Sequence, residues 1–135
     1  MSYSIDEIEG IGPAYAEKLQ AVGIRTTEAY LERAKDPKGR KALAEETGID
    51  DKRILKWANM ADLMRISGVG EEYSELLEAA GVDTVKELKH RVPANLHAKM
   101  KDVNEAKKLV RQLPSESAVE KWVAQAKDLP AVMTY

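Results

Sequence analysis

The sequence predicts an all-α fold in two pseudo-symmetric halves, each holding a tight hairpin of short helices and further accessory helices. Three observations predict it. Residues 8–30 recur as residues 66–88 at a constant offset of 58, with nine of 23 aligned positions identical. Helix-capping and helix-ending residues punctuate the chain from end to end. No stretch alternates apolar and polar residues between turn signals, so no strand is expected.

The repeat sets the frame. Ile8-Glu9-Gly10-Ile11-Gly12 returns as Ile66-Ser67-Gly68-Val69-Gly70. Tyr15, Glu17, Leu19, Ala21, Gly23 and Thr26 match Tyr73, Glu75, Leu77, Ala79, Gly81 and Thr84. Ser4-Ile5-Asp6-Glu7 reads as a capping box that opens a short helix ending before Gly10. Pro13 suits a first helical turn, and the helix it starts runs until Gly23. Thr26 caps a helix carrying Tyr30 and Leu31. Asp36-Pro37 is a cap followed by a first-turn proline, opening a helix that runs to Gly48. Asp50 caps the next, with Ile54, Leu55 and Ala58 on one face.

In the second half, Thr84-Val85-Lys86-Glu87, Asp102-Val103-Asn104-Glu105 and Ser117-Ala118-Val119-Glu120 are three further capping-box candidates. Pro93, Pro114 and Pro130 mark breaks. Trp57 with Ala61 matches Trp122 with Ala126 at an offset of 65, so about seven residues are inserted upstream of Trp122. The expected organisation is one compact domain, 1–135, with pseudo-repeat halves 4–61 and 62–129 and about nine or ten short helices. Each half alone buries little surface. The expected core is Ile8, Ile11, Leu19, Ile24, Trp57, Leu63, Ile66, Val69, Leu77, Val82, Leu88, Leu109 and Trp122.

Composition narrows the function classes. The chain is 44% hydrophobic and 33% charged, ordinary for a globular protein and too apolar for a disordered one. It contains no cysteine, which excludes disulfides, thiolate catalysis and cysteine metal sites. No apolar run approaches a membrane span, and Met1-Ser2-Tyr3-Ser4 has no basic leader region, so a cytoplasmic address is expected. The net charge of −2 argues against a general polyanion binder, but its distribution is uneven. Residues 1–85 hold 11 Lys/Arg against 17 Asp/Glu, whereas residues 86–111 hold eight against three. That basic set is Lys86, Lys89, Arg91, Lys99, Lys101, Lys107, Lys108 and Arg111, of which Lys107, Lys108 and Arg111 can share one helix face.

The hairpins carry the chemistry. In Gly10-Ile11-Gly12, glycine permits a turn with positive φ. Gly12 leaves the start of the next helix uncovered, so its free N–H groups and positive dipole end suit a phosphate. Ile11 plugs the groove between the helices, and small Ala16 lets them approach; Ser74 holds that position in the second copy. This pattern resembles the helix-hairpin-helix motif of DNA repair and recombination proteins, which implies contact with the duplex backbone without sequence reading. On that reading Gly10, Ile11, Gly12 and Ala14 lie at the phosphate, supported by Lys18, Lys107, Lys108 and Arg111. The local charges oppose it. Asp6, Glu7 and Glu9 precede the first hairpin, and neither loop contains Lys or Arg; the nearest are Lys18 and Arg65. In the second copy, Gly68, Val69 and Gly70 are followed by Glu71 and Glu72, which would take the helix-terminal donors themselves. That hairpin is expected to be structural or a protein contact.

The whole arrangement resembles a bacterial family of tandem helix-hairpin-helix proteins catalogued as a domain of unknown function. The resemblance lies in Ala61-Asp62-Leu63-Met64-Arg65-Ile66-Ser67-Gly68-Val69-Gly70, in Leu76-Leu77-Glu78-Ala79-Ala80-Gly81-Val82, and in Pro114 with Trp122-Val123-Ala124-Gln125-Ala126. It covers nearly the entire chain and implies the fold, but no activity. Residues 81–88 also resemble the hairpin domains of the RNA polymerase alpha-subunit tail and of a competence regulator.

No Ser/His/Asp set, P-loop or nucleotide fingerprint occurs, so no catalytic residue and no enzyme activity are expected. His90 and His97 are seven apart with Pro93 between them, a poor metal spacing; they read as solvated histidines, and no metal or cofactor is expected. Trp57 and Trp122 read as core. The leading expectation is a non-catalytic module that contacts double-stranded DNA or another nucleic-acid backbone. The alternative is a protein-interaction or scaffolding module using the acidic hairpin surfaces, with no membrane or small-molecule partner in either case.

Overall fold

The polypeptide opens on a capping contact: in the computed structural model, which describes residues 3–135, the Ser4 amide donates to Glu7 Oε2 at 3.0 Å and closes a 3₁₀ turn, Ile5–Glu7. Eight α-helices follow: α1 (Pro13–Ala21), α2 (Thr27–Ala34), α3 (Pro37–Thr47), α4 (Asp51–Leu63), α5 (Glu71–Ala79), α6 (Val85–Leu88), α7 (Pro93–Lys107) and α8 (Glu116–Asp128). The protein is all-α. Among the described residues there is no strand, only an isolated antiparallel bridge between Ser4 and Thr26. No helix is long and apolar enough to cross a membrane.

Side-chain caps start four of the eight helices where the sequence places them. Thr26 accepts from the Ala29 amide, Asp36 from Gly39 and Asp50 from Arg53. Gly48 ends α3 in the left-handed conformation that its missing Cβ permits.

The second half departs from expectation in four places. Thr84 caps α6, but Glu87 reaches back to the Asp83 amide rather than to Thr84. Asp102-Val103-Asn104-Glu105 starts no helix; it lies inside α7, which no glycine or proline interrupts after Pro93. Asn104 instead clasps the far end: its Oδ1 accepts from the Val110 amide at 3.0 Å. The third box is displaced, because Ser115, not Ser117, caps α8 through the Ala118 amide. Finally, α7 ends at Lys107, Lys108 turns left-handed with φ 53°, and Arg111 lies in the following loop. Lys107, Lys108 and Arg111 therefore do not share a helix face. The longer α7 and the segment before Ser115 absorb the insertion upstream of Trp122.

Two apolar clusters form the core. The first runs from Ile5 to Met64 and includes Leu19, Tyr30, Leu43 and Trp57. The second runs from Leu63 to Ala126 and includes Ile66, Leu77, Leu96 and Trp122. They meet at the end of α4, where Leu63 joins the second cluster and Met64 the first. All the expected core residues are buried except Leu109, which is half-buried; its neighbour Val110 turns inward instead, held by Asn104.

The last residues hold a contact that the halves 4–61 and 62–129 leave out. After α8, the segment 130–135 crosses back onto the first cluster, where Met133 is buried. The Thr134 amide donates to the Lys35 carbonyl at 2.8 Å, and Arg40 donates to the Ala34 and Thr134 carbonyls at 2.9 and 2.7 Å. Tyr135 donates to Asn59, and the Pro130 carbonyl accepts from Arg65 at 2.8 Å. Arg65 in turn pairs with Asp62, whose second oxygen accepts the Val85 amide at 2.8 Å. A cavity of about 340 Å³ beside this strap is walled by Leu31, Ala61, Leu129 and Val132. Its lysine and arginine are already paired, Lys35 with Glu32 and Arg65 with Asp62.

Candidate functional site: the hairpin face

Each hairpin is built from the same small set of contacts. Gly10 and Gly68 adopt φ of 96° and 92°, which a side chain would strain. The indole Nε1 of Trp57 lies 3.2 Å from the position of a Cβ on Gly10, and that of Trp122 lies 3.2 Å from a Cβ on Gly68. The indoles meet the tyrosines of the following helices: Tyr15 and Trp57 are 5.1 Å apart between ring centres, and Tyr73 and Trp122 are 5.3 Å apart. Ile11 and Val69 are buried plugs, and Ala16 and Ser74 are buried at the close approach.

Gly12 and Gly70 differ from their partners. Their φ values of −83° and −101° are open to any residue, and a Cβ on either would meet nothing within 4 Å. Neither turn geometry nor packing requires glycine there, so these two positions simply leave the helix starts bare. Neither α1 nor α5 has a side-chain cap, in contrast to α2, α3, α4, α6 and α8. Glu71 and Glu72 thus do not take the α5 donors as their position in the sequence implies.

Burial, then Glu9, Glu72, Glu7 and Asp6, push the Glu71 carboxyl above its usual range. A carboxylate bonded to helix-terminal amides would move the other way. Burial and Glu9 also raise Glu75. The acids that precede hairpin 1 therefore lie within electrostatic reach of those that follow hairpin 2. Tyr3 spans the same junction, its hydroxyl 3.5 Å from the Val69 carbonyl. Each hairpin carries a depression, one of about 540 Å³ lined by Asp6, Ile11, Pro13, Ala16, Glu17 and Gln20, and one of about 320 Å³ lined by Gly68, Gly70, Glu71, Glu72 and Tyr73.

The sequence matches the family described as Domain of unknown function (DUF4332) over residues 9–129. The chain belongs to that family. No curated protein and no solved structure matches it at a significant level.

The other candidate residues fall away from this face or take structural roles. Lys18 stands over the Tyr15 ring at 5.9 Å, and Arg53 stands over the same ring while pairing with Asp50. Lys107, Lys108 and Arg111 are exposed at the end of α7 and beyond. His97 is not merely solvated, since its Nε2 lies 2.9 Å from the Pro114 carbonyl; His90 is exposed. Among the described residues, no group of three His, Asp or Glu side chains could hold a metal. Sequence reading missed the meeting of the two acidic sets, because Glu9 and Glu71 are remote in the chain.

Proposed function

We propose that the chain is a non-catalytic tandem helix-hairpin-helix module that binds another protein through the face where its two hairpins meet, and that the partner is basic there. The convergence of Asp6, Glu7 and Glu9 with Glu71 and Glu72 carries this reading. Such a field steers cations toward the face and repels a phosphate backbone. Titration with a fluorescent Lys/Arg-rich peptide and with a DNA duplex at low salt tests it. Peptide binding that weakens with salt and falls on combining Glu9→Gln with Glu71→Gln supports the reading. Duplex binding in preference to peptide would overturn it.

One observation favours a second reading, contact with the duplex backbone at hairpin 1. The first turn of α1 carries no acid, and nothing covers Gly12. Gly12, Ala14 and Lys18 would then face a phosphate, with Lys107, Lys108 and Arg111 adding attraction from elsewhere. Gly12→Asp would place a carboxylate over the free amides and abolish such binding, while Gly70→Asp would change it little. Because neither φ is positive, both variants keep an allowed backbone.

A further inference from the structure

Each hairpin holds a hydrogen-bond donor that the protein leaves unused. Trp57 and Trp122 are only 2% and 4% exposed. An indole N–H can only donate, and a buried one ordinarily finds an acceptor. Neither does so among the described residues. Nor is either sealed from solvent, because the one fully buried side-chain atom without a partner among those residues is Glu78 Oε2.

Both donors point to the same place in their hairpins. Each Nε1 borders the space that a Cβ on Gly10 or Gly68 would enter. Glycine thus lets each indole pack against the turn without a side chain crowding its unspent N–H. Bare helix starts stand near each turn, with the amides of Ala14 and Tyr15 in one hairpin and of Glu72 and Tyr73 in the other making no backbone or capping bond. At hairpin 2 the depression lined by Gly68, Gly70, Glu71, Glu72 and Tyr73 gives a ligand room to reach the site.

The donors ask for an acceptor, and the surrounding charge decides which kind. Glu9, Glu71 and Glu72 oppose an anion. A neutral carbonyl dipole meets no such penalty, and cations flanking it gain from those carboxylates. A polypeptide of basic composition supplies both in alternation.

We propose that each hairpin seats a stretch of extended, Lys/Arg-rich polypeptide whose main-chain carbonyl accepts from the Trp57 or Trp122 indole N–H while its cations lie against Glu9, Glu71 and Glu72. This rests on the protein-binding reading above and names the contact that makes it specific. Charge alone gives salt-sensitive attraction, whereas the indole donors fix where the main chain lies.

The two tryptophans are the only ones in the chain, so nitrogen-15 labelling of the indoles gives two assignable signals. The unaltered protein is titrated with a short synthetic peptide alternating arginine and glycine, then with inorganic phosphate, then with a short DNA duplex. Both indole protons should move downfield and saturate together with the peptide, while phosphate leaves them in place. Trp57→Phe and Trp122→Phe, which lose the N–H, should each weaken peptide binding by about 3- to 10-fold. Each variant is first checked for folding by circular dichroism; should one unfold, the indole titration of the unaltered protein decides. Peptide binding with unmoved indole signals would overturn the inference and leave the acidic-face reading intact. Indole shifts with phosphate or duplex but not with peptide would overturn both.

Discussion

Three glycines show how differently one residue type can be constrained. Gly10 combines φ 96° with an indole 3.2 Å from its missing Cβ, so Gly10→Ala should cost about 1–3 kcal/mol. Gly12, two residues on, has ordinary φ and open space, and Gly12→Ala should cost under about 1 kcal/mol, the difference between two weak caps. Urea denaturation of the two variants gives the contrast directly, and equal losses would remove the distinction. Gly39 is the tightest of the set. A Cβ there would lie 2.0 Å from the Arg33 carbonyl oxygen, so α2 and α3 touch through bare backbone. Gly39→Ala should force these helices apart and cost about 1–3 kcal/mol or more. A melting temperature unchanged by that substitution would contradict the packing.

At the scale of elements, the strap 130–135 matters more than its length suggests. It covers part of the first cluster with Met133 and gives the buried Arg40 guanidinium one of its two carbonyl partners. Among the described residues Arg40 pairs with no carboxylate, so removing the strap would leave a buried cation half satisfied. Truncation after Leu129 should lower stability by about 3 kcal/mol or more, from the lost Met133 burial and the lost charged hydrogen bond together. Arg40→Met in the truncated chain should recover part of this, which a loss from Met133 alone would not allow. The Arg65 link to Pro130 and Asp62 predicts where the loosening spreads: amide exchange should quicken at Val85, whose N–H is held by Asp62.

For the whole molecule, charge sets a stability optimum on the acid side of neutrality. Burial raises Glu71, Glu75, Glu78 and Asp83, with neighbouring carboxylates adding to the shift in each case. Groups with raised folded-state pKa bind protons more readily in the native state than in the unfolded chain. Stability therefore rises as pH falls from neutrality through their titration range, toward about pH 5. Asp50 works the other way: its bonds to Arg53 lower it, so its contribution is lost only in more acid solution. Added salt at neutral pH should also stabilise, by screening the convergent acids. Thermal melts across pH and salt test this, and Glu71→Gln should flatten both responses. A melting temperature that falls steadily from pH 7 to 5 would contradict the placement of these carboxylates.

The sequence by itself determined the helical class and most helix starts, because these depend on local chemistry. A cap oxygen such as that of Asp36 or Asp50 binds an amide three residues on, and a helix-ending glycine such as Gly48 needs only its own missing side chain. The shared spacing of Trp57 to Ala61 and Trp122 to Ala126 also marked the two tryptophans as counterparts, and both are buried. Local pattern failed where two readings were equally legible. Asp102-Val103-Asn104-Glu105 has the letters of a capping box, but an uninterrupted helix already runs through it. The tertiary structure alone decided what stands beside what. Glu9 meets the field of Glu71, the indole N–H groups open beside Gly10 and Gly68, and residues 130–135 cross back to Arg40. Those contacts join residues far apart in the chain, where no periodicity or cap reports their distance. Folding residues 5–9 near α5 therefore brings acids scattered in the chain into one electrostatic neighbourhood.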